Sequence, residues 1–302
     1  MSDVSARGSA AAGTARGPGV ATRRRAPGRR RLRRGLGRLG VCLLVAIELY
    51  PLVWLVLQSF KTTAEFNSSP AWSLPNSLYF HNWVLAWEGH IGTYFKNSLI
   101  AVVPSLALII VLSAGAAFAI EIMRWRGRNL TLLVFIAGIL VPLQMILLPL
   151  FTIYFHLGLI DSLWGLIIAY TGTGLPLGVF LMAGYFRVVP RELLEAATLD
   201  GASIYQTFAH IVLPVVFNAM LTVAVVEFFF IWNDLLLSLT FISSDSKRTI
   251  QPGLLNFATN FGQVNWGPTF AAISMTVLPT LAIYLILNKR VMRGLTAGSV
   301  KG

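Results

Sequence analysis

Long apolar runs separated by short clusters of charge set the pattern along this chain. Residues 39–60 carry Glu48 as their one charged residue, and 97–120, 129–160 and 162–186 contain no Asp, Glu, Lys or Arg. Residues 214–242 are charged only at Glu227 and Asp234, and 249–288 are charge-free. A helix needs about 20 mostly apolar residues to cross the hydrocarbon core of a bilayer. The pattern therefore predicts an all-α, polytopic membrane protein with six transmembrane helices. These are 39–60, 97–120, one within 129–160, 162–186, 214–242 and about 267–288. The third run leaves room for a turn around Phe155-His156-Leu157-Gly158. Asn, Gln and Gly make 249–266 too polar to belong to the last span.

Charge gives the expected sidedness. The first 38 residues, Arg124/Arg126/Arg128, Arg187/Arg191 and Lys289/Arg290/Arg293/Lys301 put 20 Lys and Arg on one side, against Lys61, Lys96, Lys247 and Arg248 on the other. Cytoplasmic loops are enriched in these residues, so both termini are expected in the cytoplasm of a cell-membrane protein. The chain is 56% hydrophobic and 12% charged, and its formal charge of +12 is concentrated at one end. Residues 1–38 hold eleven arginines and Asp3, leaving +2 for the rest. That excludes a globally basic nucleic-acid binder and a disordered chain. The tail 1–38 reads as a disordered, positive-inside segment beside the bilayer. A twin-arginine export signal fits less well, because the next apolar segment is of full span length and no small-residue cleavage pattern comes after it. Cys42 is the single cysteine and there are four histidines, so neither an internal disulfide nor a zinc cluster is expected.

The expected organisation is tail 1–38, first helix 39–60, extracytoplasmic loop 61–90, transmembrane domain 91–288 and cytoplasmic tail 289–302. The outer loop holds Trp72, Trp83 and Trp87, which suit either an interfacial aromatic belt or a docking or lid surface. The cytoplasmic stretch 187–214 has a different character. Pro190 suits the start of a helix, Glu192 and Glu195 favour its positive end, and Asp200-Gly201 offers a stop and tight turn. A second short helix is expected from Ser203 to Pro214. Ala196 and Ala197 are expected to keep one face flat for another backbone. Lipid packing requires no such hairpin.

The spacing Glu195-Ala196-Ala197, three residues, Gly201, nine residues, then Ile211-x-Leu213-Pro214 resembles the EAA loop of permease subunits in ATP-binding-cassette importers. Ser59-Phe60-Lys61-Thr62-Thr63 and Trp232-Asn233-Asp234 look like the carbohydrate branch of that family. The ending Gly294–Gly302 is similar to its maltose-permease-G-like half. The resemblance spans about 39–302 and implies the type-1 importer permease architecture. It further implies a heterodimeric pore with a second permease subunit, two cytoplasmic ATP-binding subunits and an extracytoplasmic solute-binding protein. Glu195, Ala196, Ala197, Asp200, Gly201, Ile211, Leu213 and Pro214 would form the ATPase-coupling loop. The activity implied is import of a sugar or oligosaccharide, with ATP bound by the partners and no cofactor on this chain.

The residues inside the membrane leave alternatives open. Glu48, Glu227 and Asp234 are acids at membrane depth, where charge is costly and usually faces protein or water. They suit a proton-coupled secondary carrier, or they are neutral or hydrogen-bonded packing residues. Phe229, Trp232, Asn233 and Asp234 combine aromatic faces with polar groups and are candidates for a sugar path. The chain has no G-x-x-x-x-G-K-[ST] phosphate loop, no His-Glu-x-x-His and no G-x-S-x-G, so no catalytic residue or metal site is expected. Gly172-Thr173-Gly174 reads as a flexible or close-packing spot and not as a phosphate cradle. An importer permease for a non-sugar solute also remains open, because the loop motif is shared across substrates.

Overall fold

The computed structural model describes residues 27–258 and 264–297, with side-chain surroundings over 37–257 and 264–285. Residues 1–26 of the basic tail and the ending Gly298–Gly302 lie outside them. The backbone divides into two units, 1–51 and 52–302. The first contains most of helix α1 (Pro27–Gln58), in which residues 37–50 are all exposed, Cys42 and Glu48 included. A run holding Leu39, Val41, Leu43, Leu44 and Ile47 in the open needs an apolar surrounding such as a bilayer. The helix begins twelve residues before the expected 39. Proline suits a first helical turn, and Arg and Leu are good helix formers, so 27–36 extend the helix ahead of the apolar span Gly37–Gln58.

Every regular element among the described residues of the second unit is a helix. After α2 (Thr63–Ser68), the chain enters α3 (His81–Ala86), a wide turn Trp87–Ile91 and α4 (Gly92–Glu121). A bent pair comes next, α5 (Arg128–Leu140) and α6 (Leu143–His156), then α7 (Leu163–Phe186). The hairpin α8 (Arg191–Leu199) and α9 (Ile204–Gln206) leads into α10 (Leu213–Trp232). Short helices α11 (Leu236–Phe241) and α12 (Ile250–Ala258) precede α13 (Trp266–Ala297). Among the described residues of the chain, α1 included, five helical segments are long and apolar enough to cross a membrane, and six if the α5–α6 pair is one broken span.

Small residues set the central packing. A Cβ on Gly178 of α7 would lie 3.0 Å from Ile109 Cγ2 of α4, so the Ile109 side chain packs directly onto the α7 backbone. Gly174, one turn earlier, lies under Ile109 and the Glu227 carboxylate, as expected of a close-packing spot. One apolar core gathers Tyr94, Tyr154, Trp232 and Phe241; a second, toward the α8–α9 hairpin, gathers Phe118, Phe186, Val212 and Val223.

Besides the start of α1, four boundaries differ from the sequence expectation. The third run breaks, with α5 and α6 at 98°. Pro142 lacks an N–H and pushes Val141 out of the helical region, to ψ 116°. The fifth span stops at Trp232 instead of 242, because Asn233 and Asp234 spend their side chains on local backbone and a new helix starts at Leu236. The helix expected to begin at 97 begins at His81, interrupted where Gly89 and His90 leave helical geometry. The loop 61–90 is thus partly helical. Finally, α13 continues through Ala297, past the expected 288.

Candidate functional site

Three places in the second unit carry unusual chemistry: the α8–α9 hairpin, a polar clamp at the other end of α7 and α10, and a cavity beside the end of α10.

Local sequence accounts for the hairpin. Pro190 is extended (ψ 130°) and immediately precedes α8. At the far end Gly201 takes φ +73°, and the Ala202 N–H donates to Ala197 O at 2.9 Å. Glycine adopts this left-handed backbone at little cost, and the bond satisfies a carbonyl that the helix end would leave orphaned. Ser203 then caps α9: its Oγ accepts from the Gln206 N–H at 3.3 Å, and its N–H donates to Gln206 Oε1 at 2.8 Å. Val189, Leu194, Phe208 and Val212 fasten the hairpin to the second core, with the Phe208 ring 4.9 Å from Phe118. At its root Arg187 pairs with Glu121 at 2.8 Å.

The opposite face is open. Leu199 is 88% exposed and Tyr205 81%, with Glu195, Ala196, Asp200 and Gly201 beside them in the open. Ile211 and Leu213 are half-buried, and Pro214 is exposed in the first turn of α10. The expected flat face of Ala196 and Ala197 does not exist as a pair. Adjacent helical positions point about 100° apart, and Ala197 is 3% exposed, turned into the hairpin's own core.

At the other end polar groups are matched within the chain. Asp161, between α6 and α7, accepts from the Ser243 and Ser244 N–H groups at 3.1 and 2.8 Å, from Ser244 Oγ at 2.6 Å and from Lys247 Nζ at 2.9 Å. Burial alone would raise its pKa, but the Ser244, Lys247 and Ser243 hydrogen bonds outweigh it and hold the carboxyl well below the ordinary range. Tyr94 OH donates to Asp245 Oδ1 at 2.8 Å, and Asn97 Nδ2 donates to the Ser246 and Arg248 carbonyls, both at 2.9 Å. Lys61 is fully buried, donating to Ser73 Oγ at 2.8 Å, while Asn82 Nδ2 donates to the Ser59 and Lys61 carbonyls at 2.8 Å. The Ser59–Thr63 motif is therefore a clasp that folds 61–83 back on itself.

The fifth-span candidates divide. Phe229, Trp232 and Asn233 border a cavity of about 390 Å³ together with Gln251, Thr276, Thr280 and Tyr284. Asp234 is not among its lining residues. Its carboxylate accepts from Tyr170 OH at 2.9 Å and from the Ser238 N–H at 3.0 Å, which caps α11. Glu227 is buried, with Oε1 unpartnered. Among the described residues no group of three or more His, Cys, Asp or Glu is placed to hold a metal ion. Sequence reasoning did not find Gln251, Thr276, Thr280 or Tyr284; their only signal was a few polar side chains within otherwise apolar helices.

Residues 110–295 match the family described as binding-protein-dependent transport system inner membrane component. The chain is 33% identical over 259 residues to the probable ABC transporter permease protein YurM of Bacillus subtilis, covering 86% of this chain and 85% of that one. It is 34% identical over 257 residues to the diacetylchitobiose uptake system permease protein NgcG of Streptomyces coelicolor, covering 84% and 85%. It is 30% identical over 266 residues to the trehalose/maltose transport system permease protein MalG of Thermococcus litoralis, covering 87% and 95%. Its fold matches a bacterial ABC transporter involved in import of the acidic polysaccharide alginate, with a TM-score of 0.76 at 20% identity, over 86% of this chain and 96% of that one. The chain belongs to the binding-protein-dependent transport family as its inner-membrane permease component. It is a transport subunit and not an enzyme.

Proposed function

We propose that this chain is one half of the pore of an ATP-driven sugar importer, and that the α8–α9 hairpin receives the mechanical input. The observation that carries this reading is the open face of the hairpin. Leu199 and Tyr205 project almost fully from a helical pair whose other side is anchored by Phe208 and Val212. Large apolar side chains held rigidly in water are uncommon on a finished surface and mark a contact with another protein. Glu195, Ala196, Asp200 and Gly201 border that contact, and Ile211, Leu213 and Pro214 join it to α10. A cytoplasmic ATPase subunit seated there would move α10 as it closes.

The rest of the assembly belongs to the same reading. A second permease subunit completes the pore, two ATPase subunits bind the nucleotide, and the binding protein docks at the opposite, extracytoplasmic end. Both termini then lie in the cytoplasm, as the distribution of Lys and Arg favours. Relatives named for diacetylchitobiose and for trehalose/maltose support a sugar or oligosaccharide as substrate. The test is uptake of a radiolabelled sugar panel by cells carrying or lacking this chain. At least one sugar should enter only when this chain, an intact ATPase and the binding protein are all present. Uptake that survives loss of ATPase activity would refute the reading.

A further inference from the structure

A second cavity, of about 340 Å³, opens where α4 and α7 meet the Asp161 clamp. We propose that it is a phospholipid site, with an acyl chain lying between the two helices and the phosphodiester on Lys247. The inference goes beyond the importer reading and does not depend on which solute is carried.

Three observations carry it. The first is where the walls stand. Ile100 and Pro104 come from α4 and Leu163 and Ile167 from the first turns of α7, so the apolar walls belong to two membrane-crossing helices. Ile100 is 41% exposed and Trp164, which also lines the cavity, 71%, so this trough lies on the outside of the chain. The second is the order of the chemistry. Asp161 lies just ahead of α7, and Lys247 ends a short turn between α11 and α12. Charge therefore sits at the end of the spans with apolar wall alongside it, the same order as headgroup and acyl chain in a phospholipid.

The third is hydrogen-bonding capacity. The Asp161 carboxylate already accepts from the Ser243 and Ser244 N–H groups, Ser244 Oγ and Lys247 Nζ. Those bonds occupy its lone pairs and leave none for a ligand. Lys247 Nζ donates to Asp161 O at 2.7 Å and to Asp161 Oδ2 at 2.9 Å, which spends two of its three hydrogens. The polar end of the cavity thus offers a cationic donor and no acceptor, which suits a phosphate oxygen.

Other occupants fit one end only. A sugar would set its hydroxyls against Leu163 and Ile167. A helix of another subunit would cover the apolar walls, but its backbone carbonyls are spent within it and leave the ammonium unmet. A phospholipid meets both.

Photolabelling of the assembled transporter in nanodiscs tests this. The probes are phosphatidylglycerol with a diazirine in one acyl chain and the diacylglycerol with the same chains, each a minor fraction of the lipid. Phosphatidylglycerol should label peptides containing 100–104 or 163–167, and diacylglycerol should label them about tenfold less. Lys247→Gln should lower the phosphatidylglycerol signal by a similar factor. Because that change also loosens the clamp with Asp161, Ile100→Trp is the second variant. It fills the trough from an exposed position, leaves the clamp intact and should also lower labelling. Excess inorganic phosphate should have no effect. Labelling confined to other segments, equal labelling by the two probes, or an undiminished signal in Ile100→Trp would each overturn the assignment. Competition by inorganic phosphate would make it an anion site and overturn the lipid. Labelling of the isolated chain that disappears on assembly with a second permease subunit would make the trough a subunit contact instead.

Discussion

The two ends of the bundle treat their surfaces in opposite ways. At the Asp161 end, segments far apart in the chain meet, Asp161 with Ser244 and Lys247 and Tyr94 with Asp245, and one loop closes on itself through Lys61 and Ser73. At the hairpin end the backbone is closed with equal care by Gly201 and Ser203, yet Leu199 and Tyr205 are left in the open. Both ends are built rigidly. The first ties its loops together with hydrogen bonds between distant segments, with Arg248 Nε left buried and unpartnered and Trp72 76% exposed. The second presents a firm apolar face that only another chain can complete.

That contrast breaks most severely at Gly201. A residue with a Cβ at φ +73° is strained by about 1–2 kcal/mol, although nothing lies within 4 Å of the added atom. Gly201→Asp also sets a carboxylate near the negative end of α8. The bundle should insert and assemble, while uptake falls about 100-fold and ATP hydrolysis stops responding to the loaded binding protein, a loss of about 2.7 kcal/mol. Pull-down of the complex and ATPase assays check both halves of this expectation.

At the Asp161 end the effect should be on stability. A Cβ on Gly253 would run into the Tyr94 ring, which is 1% exposed and fixed by Asp245 and Asn256. Gly253→Ala should destabilise by about 1–3 kcal/mol as an overpacked site, read by thermal unfolding in detergent. Asp161→Asn should cost about 2 kcal/mol, because it removes the charge from the acceptor of Ser244 Oγ and Lys247 Nζ and leaves Lys247 with the Asp161 carbonyl. The depressed Asp161 pKa fixes the sign of the pH dependence. Its contribution is complete above the unfolded carboxylate value of about 3.9 and is lost only as pH falls through the lower folded value. Wild-type melting should therefore be insensitive to this clamp between about pH 5 and 8, and Asp161→Asn should lower it throughout that range.

The smallest effect belongs to Glu195→Ala. It removes one exposed side chain from the open face and leaves the turn intact, so uptake should fall about two- to fivefold with melting unchanged.

Much of this contrast was legible in the sequence on the hairpin side and little on the other. Pro190, Asp200-Gly201 and Ser203 are local signals, acting within four residues, and they marked α8, the turn and α9 where the structure has them. The apolar runs likewise marked the spans. What escaped was nonlocal or competed with hydropathy. Asp161 meets partners more than 80 residues away, and nothing in the neighbourhood of Lys61 announces that its ammonium is buried. The breaks at Pro142 and at Asn233-Asp234 were written in the residues, but an apolar run reads through them. The split of Ala196 from Ala197 needed the helix phase, which only packing fixes.

Cysteine cross-linking tests the central claim most directly, because Cys42 is the single cysteine to be replaced. In a Cys42→Ser background, Leu199→Cys samples the open hairpin and Trp72→Cys samples the exposed opposite end, where Trp72 is 76% exposed. With a short bifunctional maleimide and cysteines surveyed across the partner subunits, Leu199→Cys should join to an ATPase subunit and Trp72→Cys should not. An ATPase adduct from Trp72→Cys, with none from Leu199→Cys in an assembled and active transporter, would contradict the assignment of the hairpin as the ATPase contact.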